Sequence, residues 1–161
     1  MEQFDRIDHE LYMRAALEEA RQAFHRGDRP IGAVIVHDGR IIGTGSNKFS
    51  TTRSHIAHAE LDALLNCASY LYDHGHECIM YSTAEPCMMC LGAIVMANIR
   101  NVVFGMHDNH LRARDFIAMS PYVRRRIHNY LGGVLENECI ALYRRYSEQE
   151  ADLMVTGMSR S

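Results

Sequence analysis

The stretch CIMYSTAEPCMMCLGAIVMAN, residues 78–98, predicts a strand followed directly by a helix. Its first part, CIMYST (78–83), is apolar and rich in β-forming residues, as in a buried strand. The second part, CMMCLGAIVMAN (87–98), predicts a helix. Pro86 fits at the start of that helix, where a missing backbone N–H loses no hydrogen bond. A strand that leads into a helix is the repeating unit of layered α/β folds.

Strands and helices alternate on both sides of this stretch. Apolar residues recur at helical spacing over 8–26, and Gly27 is a common type of helix stop. The sequence His37-Asp38-Gly39 is a hairpin-turn signal between two apolar segments. The predicted elements are helices over 8–26, 58–68, 87–98 and 136–149 and strands over 31–36, 40–46, 78–83 and 101–105, while 106–133 gives no firm pattern. This order predicts an α/β fold with helices on both faces of the sheet.

The composition is that of an ordinary globular protein. The length of 161 residues suits one domain, 1–161, and 47% hydrophobic with 23% charged residues is a typical balance. No apolar run approaches the roughly 20 residues of a membrane helix, and the polar N-terminus does not resemble a signal peptide. We therefore expect a soluble, cytoplasmic protein without a membrane partner. The net charge of −3 gives no strong nucleic-acid signature, although a local basic patch remains compatible with it.

Cys87 and Cys90 allow three interpretations. Two cysteines three residues apart at a helix start can form a redox dithiol. They can also belong to a closed structural zinc site, for which His55 and His58 would supply the other two ligands. In the third interpretation, only His58 joins the two cysteines, and the fourth position of an open zinc site is left for water.

The tripeptide His58-Ala59-Glu60 favours the open site. Zinc deaminases combine H-x-E with P-C-x-x-C, and both halves occur here in the same order, the second as Pro86 to Cys90. Zinc lowers the pKa of a bound water to about 7, and a carboxylate outside its ligand shell can move the protons of hydrolysis. Residues two apart in a helix point about 200° apart. His58 and Glu60 must therefore both act from the helix terminus.

The chain resembles the cytidine-deaminase-like superfamily of zinc deaminases, in the branch of tRNA adenosine deaminase, guanine deaminase and cytosine deaminase. The shared stretches are RPIGAVIVHDGRIIGTGSN (29–47), HAELDAL (58–64), EPCMMCLGAI (85–94), VVFG (102–105) and GGVLENECIAL (132–142). The resemblance implies a three-layer α/β/α sandwich with a central five-stranded mixed sheet, one Zn²⁺ per chain and a homodimer. It also implies that the side chain of Asn47, the backbone N–H of Ala59 and a carbonyl near Glu85 bind substrate. Asn47 can alternatively be a simple turn residue.

The substrate is less determined than the chemistry. Ser54-His55-Ile56 replaces the Asp-Pro-Thr common among relatives, and the segment after VVFG also departs from the pattern of the tRNA enzymes. These departures favour a small nucleobase or nucleoside as substrate. A tRNA-specific adenosine deaminase, converting adenosine to inosine at the wobble position, is the alternative. A non-catalytic structural zinc module, from another class, has no need of Glu60.

Several other residues have candidate roles. Arginines 112, 114, 124, 125 and 126 form a basic cluster that fits either a solvated or dimer-contact face or the binding of tRNA phosphates. Candidate pocket lids in the same region are His107, Asp108, Asp115 and Phe116. His74 and His76 flank Gly75 in a predicted exposed turn, where the sequence alone does not favour a second metal site.

Overall fold

The protein is described by a computed structural model that covers residues 3–158. Its α-helices are α1 (His9–Arg26), α2 (Phe49–Thr52), α3 (Ala59–Asn66), α4 (Ala68–His74), α5 (Met88–Met96), α6 (Arg114–Met119), α7 (Pro121–Arg126), α8 (Glu136–Tyr146) and α9 (Glu148–Thr156). Its strands are β1 (Gly32–His37), β2 (Arg40–Ser46), β3 (Ile79–Ala84), β4 (Asn101–Met106) and β5 (Asn129–Leu131). Single 3₁₀ turns span Phe4–Arg6 and Gly75–Glu77.

The five strands form one mixed sheet in the order β2-β1-β3-β4-β5. β1 pairs antiparallel with both β2 and β3, whereas β3, β4 and β5 run parallel. Every residue of β1, β3 and β4 is buried. Burial on both sides explains why these strands are nearly continuous apolar runs.

Two hydrophobic clusters lie on opposite faces of the sheet. One packs α3 and α5 against the sheet through residues such as Leu64, Leu91 and Ile94. The other packs α1 and α8 against the opposite face through residues such as Met13 and Tyr143. The predicted α/β fold, a three-layer sandwich with a central five-stranded mixed sheet, is therefore confirmed.

Two helix predictions are wrong in detail. The predicted helix over 58–68 breaks at Cys67, whose backbone angles of φ −132° and ψ 24° are not helical, and α4 begins at Ala68. Leu65, near the end of α3, is 76% exposed. The predicted helix over 136–149 ends at Tyr146, because the side chain of Ser147 accepts a hydrogen bond from the backbone N–H of Glu150 and begins α9. The region without a firm prediction contains α6, α7 and the short strand β5.

Within residues 3–158, no helix is both long enough and apolar enough to cross a membrane.

Candidate active site

His58 lies immediately ahead of α3 and is its N-cap residue, with extended backbone angles of φ −85° and ψ 152°. Its side chain therefore does not follow the helical spiral. Glu60, the second residue of α3, is in the first turn. Because both residues are at the N-terminus of α3, their side chains can point into the same space, as the sequence analysis predicts. Both residues line the same pocket.

Cys87 is the N-cap residue of α5, and Cys90 lies in its first turn. Each cysteine sulfur is 3.5 Å from Nδ1 of His58. In an ideal tetrahedral zinc site, Zn–S bonds of ~2.3 Å and a Zn–N bond of ~2.05 Å place sulfur and nitrogen about 3.5 Å apart. The three side chains thus have the chemistry and the spacing of a three-ligand zinc site, and they could hold one ion.

The ring orientation of His58 is fixed by a backbone group. Nε2 of His58 lies 3.0 Å from the backbone carbonyl oxygen of His55, to which it can only donate. A neutral imidazole that donates from Nε2 has its lone pair on Nδ1, the atom that faces the two sulfurs. Such an outer hydrogen bond is a common partner of metal-binding histidines.

His55 contributes this carbonyl and not its ring. Its imidazole packs edge-to-face on Phe49, with ring centroids 4.9 Å apart. In the described part of the chain, the group of possible metal ligands at this site consists of His58, Cys87 and Cys90. The geometry therefore favours the open site over the closed structural one. A simple redox dithiol would leave the placement of His58 between both sulfurs unexplained.

The charges at the site are mutually stabilised. The thiol of Cys90 donates toward Cys87 and, together with His58, lowers the pKa of Cys87 to about 4. The same hydrogen bond and burial raise the pKa of Cys90. The pKa of His58 is raised, chiefly by its hydrogen bond with Cys87. A lowered pKa favours the thiolate form of Cys87, which is the form that binds a metal ion, as expected at a helix N-terminus.

Glu60 is buried beside this group. Its carboxylate is 3% exposed, and Oε1 accepts a hydrogen bond of 2.9 Å from the hydroxyl of Ser82 on β3. Burial raises the pKa of the Glu60 carboxyl. Ser82 was not predicted from the sequence, because it lies in the middle of a buried strand and carries no motif signal.

A pocket of about 320 Å³ opens onto these residues. The predicted site residues Asn47, Ala59, Glu60 and Glu85 all line it, together with His58 and Cys87. The rest of the lining comes from residues that were not predicted to bind substrate, namely Arg29, Ile31, Ala84, Asp108, His110, Leu111, Tyr143, Glu150, Leu153 and Met154. Of the four candidate lid residues, Asp108 is in this lining and the other three are not.

Asn47 is both a turn residue and a pocket residue. It is 2% exposed, and its Oδ1 accepts a hydrogen bond of 3.0 Å from the backbone N–H of Phe49. This bond fixes the amide plane and leaves the NH₂ group available to donate to a ligand.

The side chain of Glu85 has a structural role. Its buried carboxylate accepts hydrogen bonds from the Arg114 guanidinium, the Asp108 backbone N–H and the Tyr130 hydroxyl. These contacts join the end of β3 to the loop that lines the pocket. Arg114 belongs to the basic cluster predicted from the sequence, but its guanidinium forms an internal ion pair with Glu85.

Comparison with known proteins identifies the family. The profile described as "Cytidine and deoxycytidylate deaminase zinc-binding region" matches residues 6–106. The chain belongs to this family of zinc-dependent deaminases. The predicted family, enzyme class and zinc cofactor are thereby confirmed.

This deaminase is similar over most of its length to characterised relatives. It is 38% identical over 133 residues to the tRNA-specific adenosine deaminase of Bacillus subtilis, covering 81% of this chain and 83% of the relative. A solved structure from a study of A-to-I editing by tRNA:A34 deaminases superposes with a TM-score of 0.72 at 32% identity, covering 82% and 98% of the two chains. The guanine deaminase of Nitrosomonas europaea gives a TM-score of 0.69 at 26% identity, covering 86% and 84%.

Proposed function

We propose that this deaminase is a tRNA-specific adenosine deaminase that converts adenosine to inosine at the wobble position. The observation that carries the proposal is the open three-ligand group beside a buried carboxylate, in a chain whose relatives include tRNA-specific adenosine deaminases. The departures at Ser54-His55-Ile56 favour a small base or nucleoside, whereas the names of these relatives favour tRNA. A free purine, as in guanine deaminase, is the second candidate.

In this proposal His58, Cys87 and Cys90 hold one zinc ion. When bound, zinc supplies a water whose pKa is lowered to about 7. Glu60 would be the catalytic residue: it would take one proton from the attacking water and give it to the ring nitrogen. It would then take the second proton, from the added hydroxyl, and give it to the amino group, which leaves as ammonia. Its burial suits this role, because a raised pKa lets the carboxyl hold a proton nearer to neutral pH. A non-catalytic zinc module would have no use for this carboxyl.

The substrate-binding groups are proposed to be Asn47, Ala59 and Glu85. The amide NH₂ of Asn47 would donate to the base or sugar, and so would the backbone N–H of Ala59, the first residue of α3, which lines the pocket. Glu85 would act through its backbone carbonyl, because its side chain is occupied by Arg114, Asp108 and Tyr130.

We also propose that the protein is a cytoplasmic homodimer with one deaminase domain over residues 1–161. An apolar groove of about 630 Å³ lies between α3, α4 and α5. Its exposed members include Leu65, Tyr72 and Met96, which are 76%, 91% and 76% exposed. Contiguous apolar surface of this kind is typical of an interface. Met88 lies between the two cysteines at the start of α5 and is 48% exposed. The zinc site and the apolar groove therefore share this helix.

The deciding experiment is a deamination assay with Glu60→Ala as the blank. Unmodified tRNA, adenine, guanine, cytosine, their nucleosides and related amino-heterocycles such as pterins are each incubated with the enzyme. Inosine formation in tRNA and ammonia release are measured. We expect inosine in tRNA for the natural chain, no product for Glu60→Ala, and equal zinc content in both.

The outcomes separate the candidates. Ammonia release from one free base or nucleoside without inosine in tRNA would replace the tRNA proposal by the small-substrate one. Turnover that persists in Glu60→Ala would remove Glu60 from the mechanism.

A further inference from the structure

A second cluster of metal-ligating side chains lies at the other end of the central strands. His37 is the last residue of β1, and Glu77 lies just ahead of β3, whereas the zinc-site residues follow the end of β3. With six residues in β3, the two ends are roughly 20 Å apart. The second cluster is therefore independent of the candidate active site.

Two histidines converge on one carboxylate in this cluster. Oε2 of Glu77 is 2.8 Å from Nε2 of His37 and 3.8 Å from Nδ1 of His74. Ligand atoms of these three residues all lie within 4.8 Å of one another. Nitrogen and oxygen ligands of a tetrahedral zinc ion are about 3.3 Å apart, a separation that the two measured distances bracket.

The orientation of His37 suits a metal ligand. Its other ring nitrogen, Nδ1, is 2.6 Å from the hydroxyl of Tyr70, and its side chain is only 10% exposed. Because a carboxylate only accepts, the 2.8 Å contact with Glu77 places the ring proton on Nε2, and Nδ1 accepts from the Tyr70 hydroxyl. A metal ion would take the place of the Nε2 proton, and an Nδ1–H would then donate to the Tyr70 oxygen. The rings of His37 and His74 are stacked, with centroids 5.2 Å apart and an angle of 27°, which restricts both imidazoles.

We propose that His37, His74 and Glu77 bind a divalent transition-metal ion, and that the nearby carboxylate of Asp38 adds a negative charge beside it. Oδ2 of Asp38 is 3.6 Å from Nε2 of His37. Two neutral imidazoles and two carboxylates would balance the charge of a dication. Imidazole and carboxylate ligands suit Zn²⁺, Ni²⁺ or Cu²⁺, and the absence of thiolate distinguishes this site from the cysteine-containing one.

The surroundings leave room for a further ligand. Asp38 and Glu77 line a cavity of about 290 Å³ that also contacts Tyr12 and Ile79. Water could complete the coordination from this side. The sequence does not favour this site, because its residues are far apart along the chain. His74 and Glu77 lie in the turn around Gly75, whereas His37 is 37 positions before His74. The pairing of β1 with β3 brings His37 to the other two.

The test is the zinc content of a chain without an affinity tag, dialysed against buffered free Zn²⁺. We expect two zinc ions per chain for the natural protein and one for His74→Ala and for Glu77→Gln. Tyr70→Phe should keep the second site with about 10- to 100-fold weaker affinity, because its role is to orient His37. The matched control is His25→Ala, an exposed histidine at the end of α1, which should leave two ions.

Deaminase activity of the variants, measured with the substrate found above, checks that they are folded, since neither His74 nor Glu77 lines the catalytic pocket. A natural chain that never exceeds one zinc ion would overturn the proposal, and His37, Glu77 and Tyr70 would then form only a hydrogen-bonded network. A second ion that survives both His74→Ala and Glu77→Gln would also overturn it.

Discussion

The imidazole of His58 is held between the backbone carbonyl of His55, 3.0 Å from Nε2, and the sulfurs of Cys87 and Cys90, each 3.5 Å from Nδ1. Both histidines therefore contribute to the site, but in different ways. His58 contributes its ring, and His55 contributes its backbone carbonyl oxygen. His55, three residues before His58, orients the ligand through its backbone carbonyl, and its own ring packs on Phe49.

The first prediction concerns His55. Replacement by Ala keeps the carbonyl oxygen and removes only the ring, so we expect His55→Ala to retain its catalytic zinc. Zinc content and turnover measure the effect, with Cys90→Ser as the matched variant that should lose the catalytic zinc and the turnover. Loss of zinc in His55→Ala would mean that the site is closed, with His55 as a fourth ligand, and the catalytic interpretation would be wrong.

The second prediction concerns the approach of α3 to β2. A Cβ atom on Gly45 would overlap the backbone carbonyl oxygen of Ala59 and the backbone nitrogen of Ala63. Since neither backbone atom can move aside cheaply, Gly45→Ala should lower the free energy of unfolding by about 2 to 3 kcal/mol. It should also weaken zinc binding, because the start of α3 carries His58.

Gly92 provides the control for this substitution. A Cβ atom there meets nothing within 4 Å, and the residue lies inside α5. Gly92→Ala should therefore be neutral or stabilise the protein by up to about 1 kcal/mol. Chemical denaturation measures both variants. Equal stability of Gly45→Ala and Gly92→Ala would contradict the proposed close contact.

The third prediction is a dependence of stability on pH. The fully buried Asp28 carboxylate accepts hydrogen bonds from the hydroxyl and backbone N–H of Thr51, the backbone N–H of Ser50 and the guanidinium of Arg26. Burial alone would raise the pKa of Asp28, but these bonds outweigh it and hold the pKa below its ordinary value. A lowered pKa stabilises the fold above the unfolded value of about 4, and this contribution is lost as the pH falls through the folded pKa.

We expect Asp28→Asn to lower the free energy of unfolding by roughly 2 kcal/mol at pH 7, through the loss of charged hydrogen bonds. The difference from the natural chain should shrink as the pH falls from about 4, where Asp28 of the unfolded chain takes up a proton, through the lower pKa of the folded state. Urea unfolding at both pH values measures this, with the exposed Asp73→Asn as control. A difference that is the same at both pH values would refute the assignment to Asp28.

The fourth prediction tests the basic cluster. Arg112 pairs with Asp115, Arg114 with Glu85, and Arg126 packs on Tyr122, whereas Arg124 and Arg125 are exposed on α7.

If the substrate is tRNA, Arg124 and Arg125 are the members of the cluster most available for phosphates. The double replacement by Ala should weaken tRNA binding and reduce the slope of log K against log salt by about 1 to 2. Arg40→Ala, at the opposite end of the sheet, should change neither. An unchanged salt dependence in the double variant would assign Arg124 and Arg125 to a solvated face.

The sequence alone predicts the alternation of strands and helices, because apolar periodicity and turn residues are local signals. It also predicts the family, since H-x-E and P-C-x-x-C each lie within a few consecutive residues and can be recognised without the fold. The fifth strand, Asn129–Leu131, is only three residues long and depends on pairing with β4, so no local pattern predicts it. The division of 136–156 into two helices depends on one capping bond of Ser147.

The residue types and spacing in the sequence thus determine the chemistry of the candidate site. The tertiary structure determines which other residues contact its members and line the pocket. Residue types and spacing predict His58, Glu60, Cys87 and Cys90 together, because each pair lies within one helix start. Only the fold brings Ser82 to Glu60, Arg114 to Glu85, and Glu150 of α9 to the pocket. These contacts join residues 22 to 121 positions apart, such as Arg29 and Glu150, and long-range pairing leaves no signal in a single sequence. The same reason explains why His37 and Glu77 become neighbours only when β1 pairs with β3.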